Sequence, residues 1–393
     1  MSGREPALVG ILPISALGVA FHHHLSAGAP GGGPRVAFMS RRAGSGPERW
    51  AEDSVLRIES PSGRSDLPLA GRLAGSLPEA AAYGRLPRIV LVCTNPDQLF
   101  DVISDFVAAI EVEHRTGRLQ AGTARLPALV LCANGIYYQR IRRSFIELLE
   151  ESTLLGRLPD LWPETMPAVV GRLMRGVTIQ TSLRMGLGSG AVYRPGPAGR
   201  TLLAGGARAE RAAAAATLAS LGGWFEDAGE VPATRVEFNK ALINLSINVF
   251  GQLAAIDDGG RFRVMTVGEI GCPERHGRIL ELVEAVVHVG RGVGVYSASE
   301  RPRDIFEETM RAMVPVARHV PSSLQWLEER LATGTLRPGL TPTERWLLEP
   351  LQHYARSLGD AGAIHYFERL ERDLDDAIAR AISAQAGARG TGP

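Results

Sequence analysis

One segment, Val236–Gly260 (VEFNKALINLSINVFGQLAAIDDGG), limits what this chain can be more than any other. Read as a helix, it sets Lys240, Asn244 and Asn248 four residues apart, within about 80° of arc on one face. Its other positions are mostly apolar, among them Leu242, Leu245, Val249, Phe250 and Leu253. A helix apolar all round is buried, so its polar stripe must face a partner, a ligand or trapped water. Burying an ammonium and two amides without partners costs several kcal/mol. The stripe is either an internal hydrogen-bond network between helices or the wall of a site, and a lysine lining a cleft favours the site.

With 393 residues the chain is long enough for two domains with full cores. A net charge of +1 argues against a broad electrostatic role with nucleic acid or an anionic membrane. Cys93 and Cys132 end the apolar runs IVLVC and ALVLC, and with Cys272 they form no CxxC pair. They read as buried, reduced thiols of a cytoplasmic protein. The apolar stretch Ala7–Phe21 has Glu5 in its flank and Pro13 inside it. It is too short to cross a bilayer and lacks the form of a signal peptide.

Taken in order, Pro6–Leu12 reads as a buried strand, Ala16–Leu25 as a helix and Arg35–Ser40 as a second strand, a βαβ unit. Where a dinucleotide fingerprint has GxGxxG, the turn reads Pro13-Ile14-Ser15-Ala16-Leu17-Gly18. Gly18 keeps the position for close helix–strand packing, and Ser15 suits an N-cap that also hydrogen-bonds a phosphate oxygen. Arg41 and Arg42 follow the second strand with no acidic residue beside them. They are either a solvated charge pair or partners for a 2′-phosphate, which would select NADP over NAD. Strands at Pro87–Thr94 and Leu126–Ala133 alternate with helices at Leu99–His114 and Ile141–Leu155, the doubly wound α/β pattern. Thr94, Asn95, Asn134 and Gly135 then fall beyond the carboxyl ends of strands, where such sheets bind ligands. His22, His23 and His24 point about 100° apart on a helix, so they read as helix-surface residues and no metal site is expected.

Asp53–Leu73 reads as irregular connection with short polar strands, and Val169–Gly206 as antiparallel strands at the sheet's far edge. Beyond Pro232 the chain reads as all helical, with segments at Arg278–Val289, Arg303–Met313, Ser323–Ala332, Thr343–Leu358 and Ile364–Ile382. The expected organisation is a Rossmann-like dinucleotide-binding domain (1–206), a connecting helix and linker (207–231), a helical substrate and dimerisation domain (232–385) and a disordered tail (386–393).

The order of several pieces resembles the ketopantoate reductase (2-dehydropantoate 2-reductase) family over nearly the whole chain. They are the Ala16-Leu17-Gly18 turn, Asn134-Gly135, GPAGRTLLAGG, the Lys240-x3-Asn244-x3-Asn248 helix, Pro321-Ser322-Ser323-Leu324-Gln325 and Thr343-Glu344. The resemblance implies an N-terminal Rossmann domain and an all-helical C-terminal domain of the 6-phosphogluconate dehydrogenase C-terminal type. It implies hydride transfer from NADPH to a small-molecule 2-oxo acid in the cleft between them. Lys240 would be the general acid, Asn244 and Asn248 would orient the substrate, and Ser323 would bind its carboxylate. Glu344 would hydrogen-bond a substrate hydroxyl or share the proton network, a part that Glu328 or Glu329 could take instead. Ser15, Gly18, Arg41, Arg42, Thr94 and Asn134 would hold NADP, Asn134 at the nicotinamide ribose. The departures are the two lost glycines, Thr94-Asn95 in place of the family's Thr-Lys, and a wider spacing from Ser323 to Glu344. The alternative is a divergent member without nicotinamide binding that does non-redox acid–base chemistry, or only binds ligand, in the Lys240/Asn244/Asn248 cleft. A homodimer is compatible with the apolar faces of the helical half.

Overall fold

The computed structural model describes residues 7–27, 36–41, 50–51, 53–60, 63–159, 161, 164–186 and 190–390. The chain forms two compact units, one of Met1–Ala133 with Tyr138–Ala233 and one of Asn134–Tyr137 with Thr234–Pro393.

The first unit opens with β1 (Val9–Leu12), α1 (Ala16–Ala27), β2 (Val36–Met39), β3 (Val55–Ser60), β4 (Gly63–Pro68) and β5 (Leu73–Ala74). It continues through α2 (Leu77–Ala82), β6 (Ile89–Val92), α3 (Leu99–Arg115), β7 (Ala128–Leu131), α4 (Tyr138–Leu154) and α5 (Met166–Val170). β8 (Leu173–Thr178), β9 (Ser182–Met185), β10 (Val192–Pro195), β11 (Thr201–Ala204), α6 (Arg208–Ser220) and β12 (Phe225–Asp227) complete it. The main sheet runs β12-β11-β8-β7-β6-β1-β2-β5, parallel except where β11 meets β8. β1, β2, β6 and β7 are buried at every residue, as strands covered on both faces must be. Strand order reverses between β1 and β6, whose ends register Leu12 with Val92. That reversal opens the crevice at which doubly wound sheets bind nucleotides.

Three readings of the sequence change. Of residues 207–231, expected to be a connecting helix and linker, the helix is present as α6, but the linker supplies the edge strand β12, which pairs parallel to β11. Three strand residues are too few to show a period, and Leu218 and Phe225 become core only once the sheet exists. The polar stretch after residue 53 is a regular hairpin, β3–β4, in a second sheet ordered β4-β3-β10-β9. β8, expected within an antiparallel edge, instead pairs parallel to β7.

The histidine run is a fourth correction. α1 packs against strands of both sheets, so it has no broad solvent face. His22 is buried and stacks on Phe38 with centroids 4.6 Å apart, while His24 Nε2 lies 2.9 Å from Gly196 O. Among the described residues no cluster of His, Cys, Asp or Glu could hold a metal, and no helix is long and apolar enough to cross a membrane.

The second unit contains α7 (Ala233–Asn244), a π-helical turn (Leu245–Val249), α8 (Phe250–Ala255), α9 (Val267–Ile270), α10 (His276–Gly292) and α11 (Pro302–Met313). α12 (Ser322–Thr333), α13 (Pro342–Leu358) and α14 (Ala361–Gly390) follow. Its core gathers Leu242, Leu245, Val249, Leu282, Val286, Leu324, Leu351 and Phe367. α14 runs to Gly390, past the boundary at 386 expected from the sequence. Residues 391–393 lie outside the described residues.

Burial, with Arg72 and His23 nearby, lowers His22 from 6.5 to about 4. The folded state therefore resists a proton that the unfolded chain accepts. Stability falls as pH drops from 6.5 toward 4, by roughly 3 kcal/mol at 1.36 kcal/mol per unit. Urea denaturation at pH 7 and pH 5 checks this: His22→Gln should flatten that pH dependence.

Candidate functional site

The polar stripe lies on the α7–α8 helix and is longer than its sequence suggests. In an α-helix Gln252, twelve residues from Lys240, would have rotated about 120° away. A π-turn absorbs one extra residue, so twelve residues advance the helix as eleven do, and Gln252 returns to within about 20° of Lys240. The π-turn at Leu245–Val249 thus extends Lys240, Asn244 and Asn248 to Gln252.

Neighbouring helices meet the stripe at two points. From the first turn of α12, Ser323 Oγ donates to Asn248 Oδ1 at 3.0 Å. From the first turn of α13, Glu344 Oε1 accepts from Gln252 Nε2 at 3.0 Å. Glu344 is only 2% exposed, and its other oxygen, Oε2, is buried without a hydrogen-bond partner. Burial raises its pKa above the usual carboxyl value, opposed by hydrogen bonds from its own amide, Gln252 and Thr341. Glu328 and Glu329 are exposed on α12, so of the three acids considered it is Glu344 that joins the stripe. Asn244 Nδ2 is also buried without a partner, a donor held ready for an acceptor. Lys240, Asn248 and Ser323 are half-buried.

The Asn134–Tyr137 segment packs in the same unit. Ile136 N donates to Trp346 O at 3.0 Å, and Tyr137 N to Glu237 Oε1 at 3.3 Å. Gly135 has φ +128°, and a Cβ there would lie 3.0 Å from Trp346 Cβ, so only glycine suits this turn. Asn134, next to it, is exposed.

In the first unit, Ser15 stands at the switch between β1 and β6. Its Oγ donates to Cys93 O at 2.8 Å and accepts from Gly18 N at 3.1 Å. The N-cap expected of Ser15 is present, but its proton is committed to the neighbouring strand. A Cβ on Gly18 would sit 2.7 Å from Pro13 O, so the close packing expected of that glycine is real. Thr94 Oγ1 donates to Gln98 Oε1. Arg41 forms an ion pair with Asp101 of α3. Arg42 lies outside the described residues.

Three residues that sequence reasoning missed complete the picture. Gln252 was hidden by the rotation that the π-turn cancels. Glu237 lies one turn before Lys240 and is buried, but nothing in its spacing marks its partner, the Tyr137 amide. Arg175, 2% exposed inside β8, donates to Leu131 O at 2.7 Å and Ala133 O at 2.8 Å, fixing the end of β7 just before Asn134.

No model of a known protein family matches the sequence, and no curated protein does. Solved structures do match in fold. D-mandelate dehydrogenase with NADH and anilino(oxo)acetate superposes with a TM-score of 0.63 at 14% identity, covering 94% of this chain and 99% of that one. The PanE/ApbA family ketopantoate reductase of Ralstonia eutropha JMP134 gives 0.55 at 15% identity, with coverage of 94% and 99%. The 2-dehydropantoate 2-reductase of Methylococcus capsulatus gives 0.52 at 16%, with 98% of each chain covered. The chain therefore has the ketopantoate reductase fold expected from its motifs, a Rossmann-like sheet followed by helices.

Because burial raises Glu344 above 4.5, the folded state holds its proton more tightly than the unfolded chain does. The stability this confers is complete below 4.5 and is lost as pH rises through the raised folded value. Glu344→Gln should accordingly gain stability relative to the parent between pH 4.5 and pH 8, as read by urea denaturation. Gln252→Leu, which strands the carboxyl, should cost about 1–3 kcal/mol at pH 7 in the same assay.

Proposed function

We propose that the chain is a nicotinamide-dependent reductase of the carbonyl of a 2-oxo acid or a related small molecule, with NADPH as donor. The observation that carries this reading is the Lys240-Asn244-Asn248-Gln252 stripe, tied to Ser323 and Glu344 by direct hydrogen bonds. The shared fold adds support, since one structural neighbour was solved with NADH and an oxo acid derivative.

Features of the sheet unit suit a dinucleotide. Strand order reverses beside the N-terminus of α1, and Gly18 lets that helix approach β1. The first intrahelical bond is Val19 N to Ser15 O, so the amides of Ala16 and Leu17 precede it and suit a pyrophosphate. Arg41 would take a 2′-phosphate, exchanging or sharing its bond to Asp101. Thr94 and Asn134, at strand ends, would contact the remainder, and Arg42 would add to the charge. The bound nucleotide supplies a hydride.

The helical unit handles the substrate. Ser323, turning its proton away from Asn248, and the Asn248 amide would meet the carboxylate, and the Nδ2 of Asn244 would donate to the carbonyl oxygen. As negative charge builds on that oxygen, the ammonium of Lys240 stabilises it and then passes it a proton. Glu344 stands behind Gln252 and orients it, acting on the proton network through that amide. The second reading, a family-derived protein without nicotinamide binding, draws on the Ser15 bridge to Cys93, which occupies a position that a fingerprint leaves to glycine.

NADPH fluorescence titration separates the two. Saturable NADPH binding, tighter than NADH binding and weakened by Arg41→Ala, supports the reductase; no binding at substrate-range concentrations overturns it. Lys240→Ala should bind NADPH as the parent does, yet lower kcat/KM for 2-oxo acid reduction by about 10²–10⁴.

A further inference from the structure

The second sheet ends in an edge built to pair with itself. Leu69 N donates to Ser54 O at 2.9 Å, which fixes the alternation along the hairpin. Leu67, Ser65 and Gly63 bond back to β3, so the backbone N–H and C=O of Arg64 and Asp66 point outward. Residues 63–66 and Pro68 are all exposed.

The side chains on that edge are self-complementary. A twofold axis through Ser65 sets Arg64 of one copy opposite Asp66 of the other, twice, in antiparallel register. Each such pair would exchange two backbone hydrogen bonds. The neighbouring registers with outward groups facing each other place Arg64 on Arg64 or Asp66 on Asp66, so charge selects the register centred on Ser65.

A charge row inside the sheet leads to the same place. Arg194 of β10 bonds Glu59 of β3 at 2.9 Å, and Glu59 faces Arg64 of β4 at 3.7 Å. Asp66 is registered opposite Arg57. Joined at Ser65, the two sheets carry a row reading Arg194, Glu59, Arg64, then Asp66 and Arg57 of the second copy, alternating in sign throughout. Charged edges ordinarily discourage pairing. This one discourages every register but one, and Pro68, lacking an N–H, stops the ladder from growing.

We propose that β4 is a homodimerisation edge, with a second copy of this chain adding its own β4 antiparallel about Ser65. The contact is isologous and closed. It is distinct from any dimer formed through the helical unit and does not depend on the catalytic reading.

Sedimentation velocity over a concentration series at low salt tests the idea. The parent chain should dimerise, and Arg64→Asp or Asp66→Arg should each weaken the dimer by about tenfold or more, since each turns two attractive pairs repulsive. Mixing the two variants should restore it, because each then meets its complement. Ser65→Cys in a Cys272→Ser background should form a disulfide-linked dimer on mild oxidation, since facing residues in such a register have Cα atoms about 4.5 Å apart. Circular dichroism melts confirm that these surface variants fold. A monomer at every concentration, a dimer indifferent to both charge reversals, or a mixture that fails to recover would each overturn the proposal.

Discussion

The extra residue in the π-turn at Leu245–Val249 is the constraint on which the helical unit's polar chemistry depends. A regular α-helix would carry Gln252 out of line with Lys240 by about a third of a turn. With the extra residue absorbed, four polar side chains share one face of a helix that is otherwise packed into the core. Such insertions cost hydrogen-bond geometry in the backbone and concentrate at functional sites. Here the return is that α12 and α13 each dock a polar side chain on the same stripe. Ser323 and Glu344 are thereby fixed relative to each other although no bond between them is required.

The same logic shows why some of the molecule was legible in the sequence and some was not. Runs such as IVLV and ALVL announce strands buried on both faces, and those strands form where expected. Lys240, Asn244 and Asn248 announce a stripe because their four-residue spacing is nearly the helical period. Gln252 does not, because its membership depends on a local change of helical pitch that no residue type signals. β12 is invisible for another reason. Three residues, Phe225–Asp227, carry no period, and what makes them a strand is the waiting edge of β11. His22 belongs to this class too: it is buried where it stacks on Phe38 of β2, and nothing in a run of three histidines signals which of them faces the sheet.

At the turn between β1 and α1 the sequence departs from the glycine pattern, and the fold shows how the departure is accommodated. A glycine at position 15 would leave its place to a ligand. Serine instead spans from α1 to the end of β6, donating to Cys93 O and capping Gly18 N. The crevice loses space and one free amide but gains rigidity exactly where β1 and β6 diverge. The amides of Ala16 and Leu17 stay ahead of the first helical bond, so the partial positive charge of the helix terminus survives. Arg41 is likewise committed to Asp101. A guanidinium can serve two anions in one plane, so this pairing orients it as much as it occupies it.

Glu344 ties stability to chemistry. A carboxyl shut inside a helical core prefers its neutral form, and the hydrogen bond from Gln252 only partly offsets that preference. Gln252, bonded to that carboxyl, carries its position onto the stripe. The burial that makes Glu344 costly to ionise is therefore also what ties the first turn of α13 to the stripe.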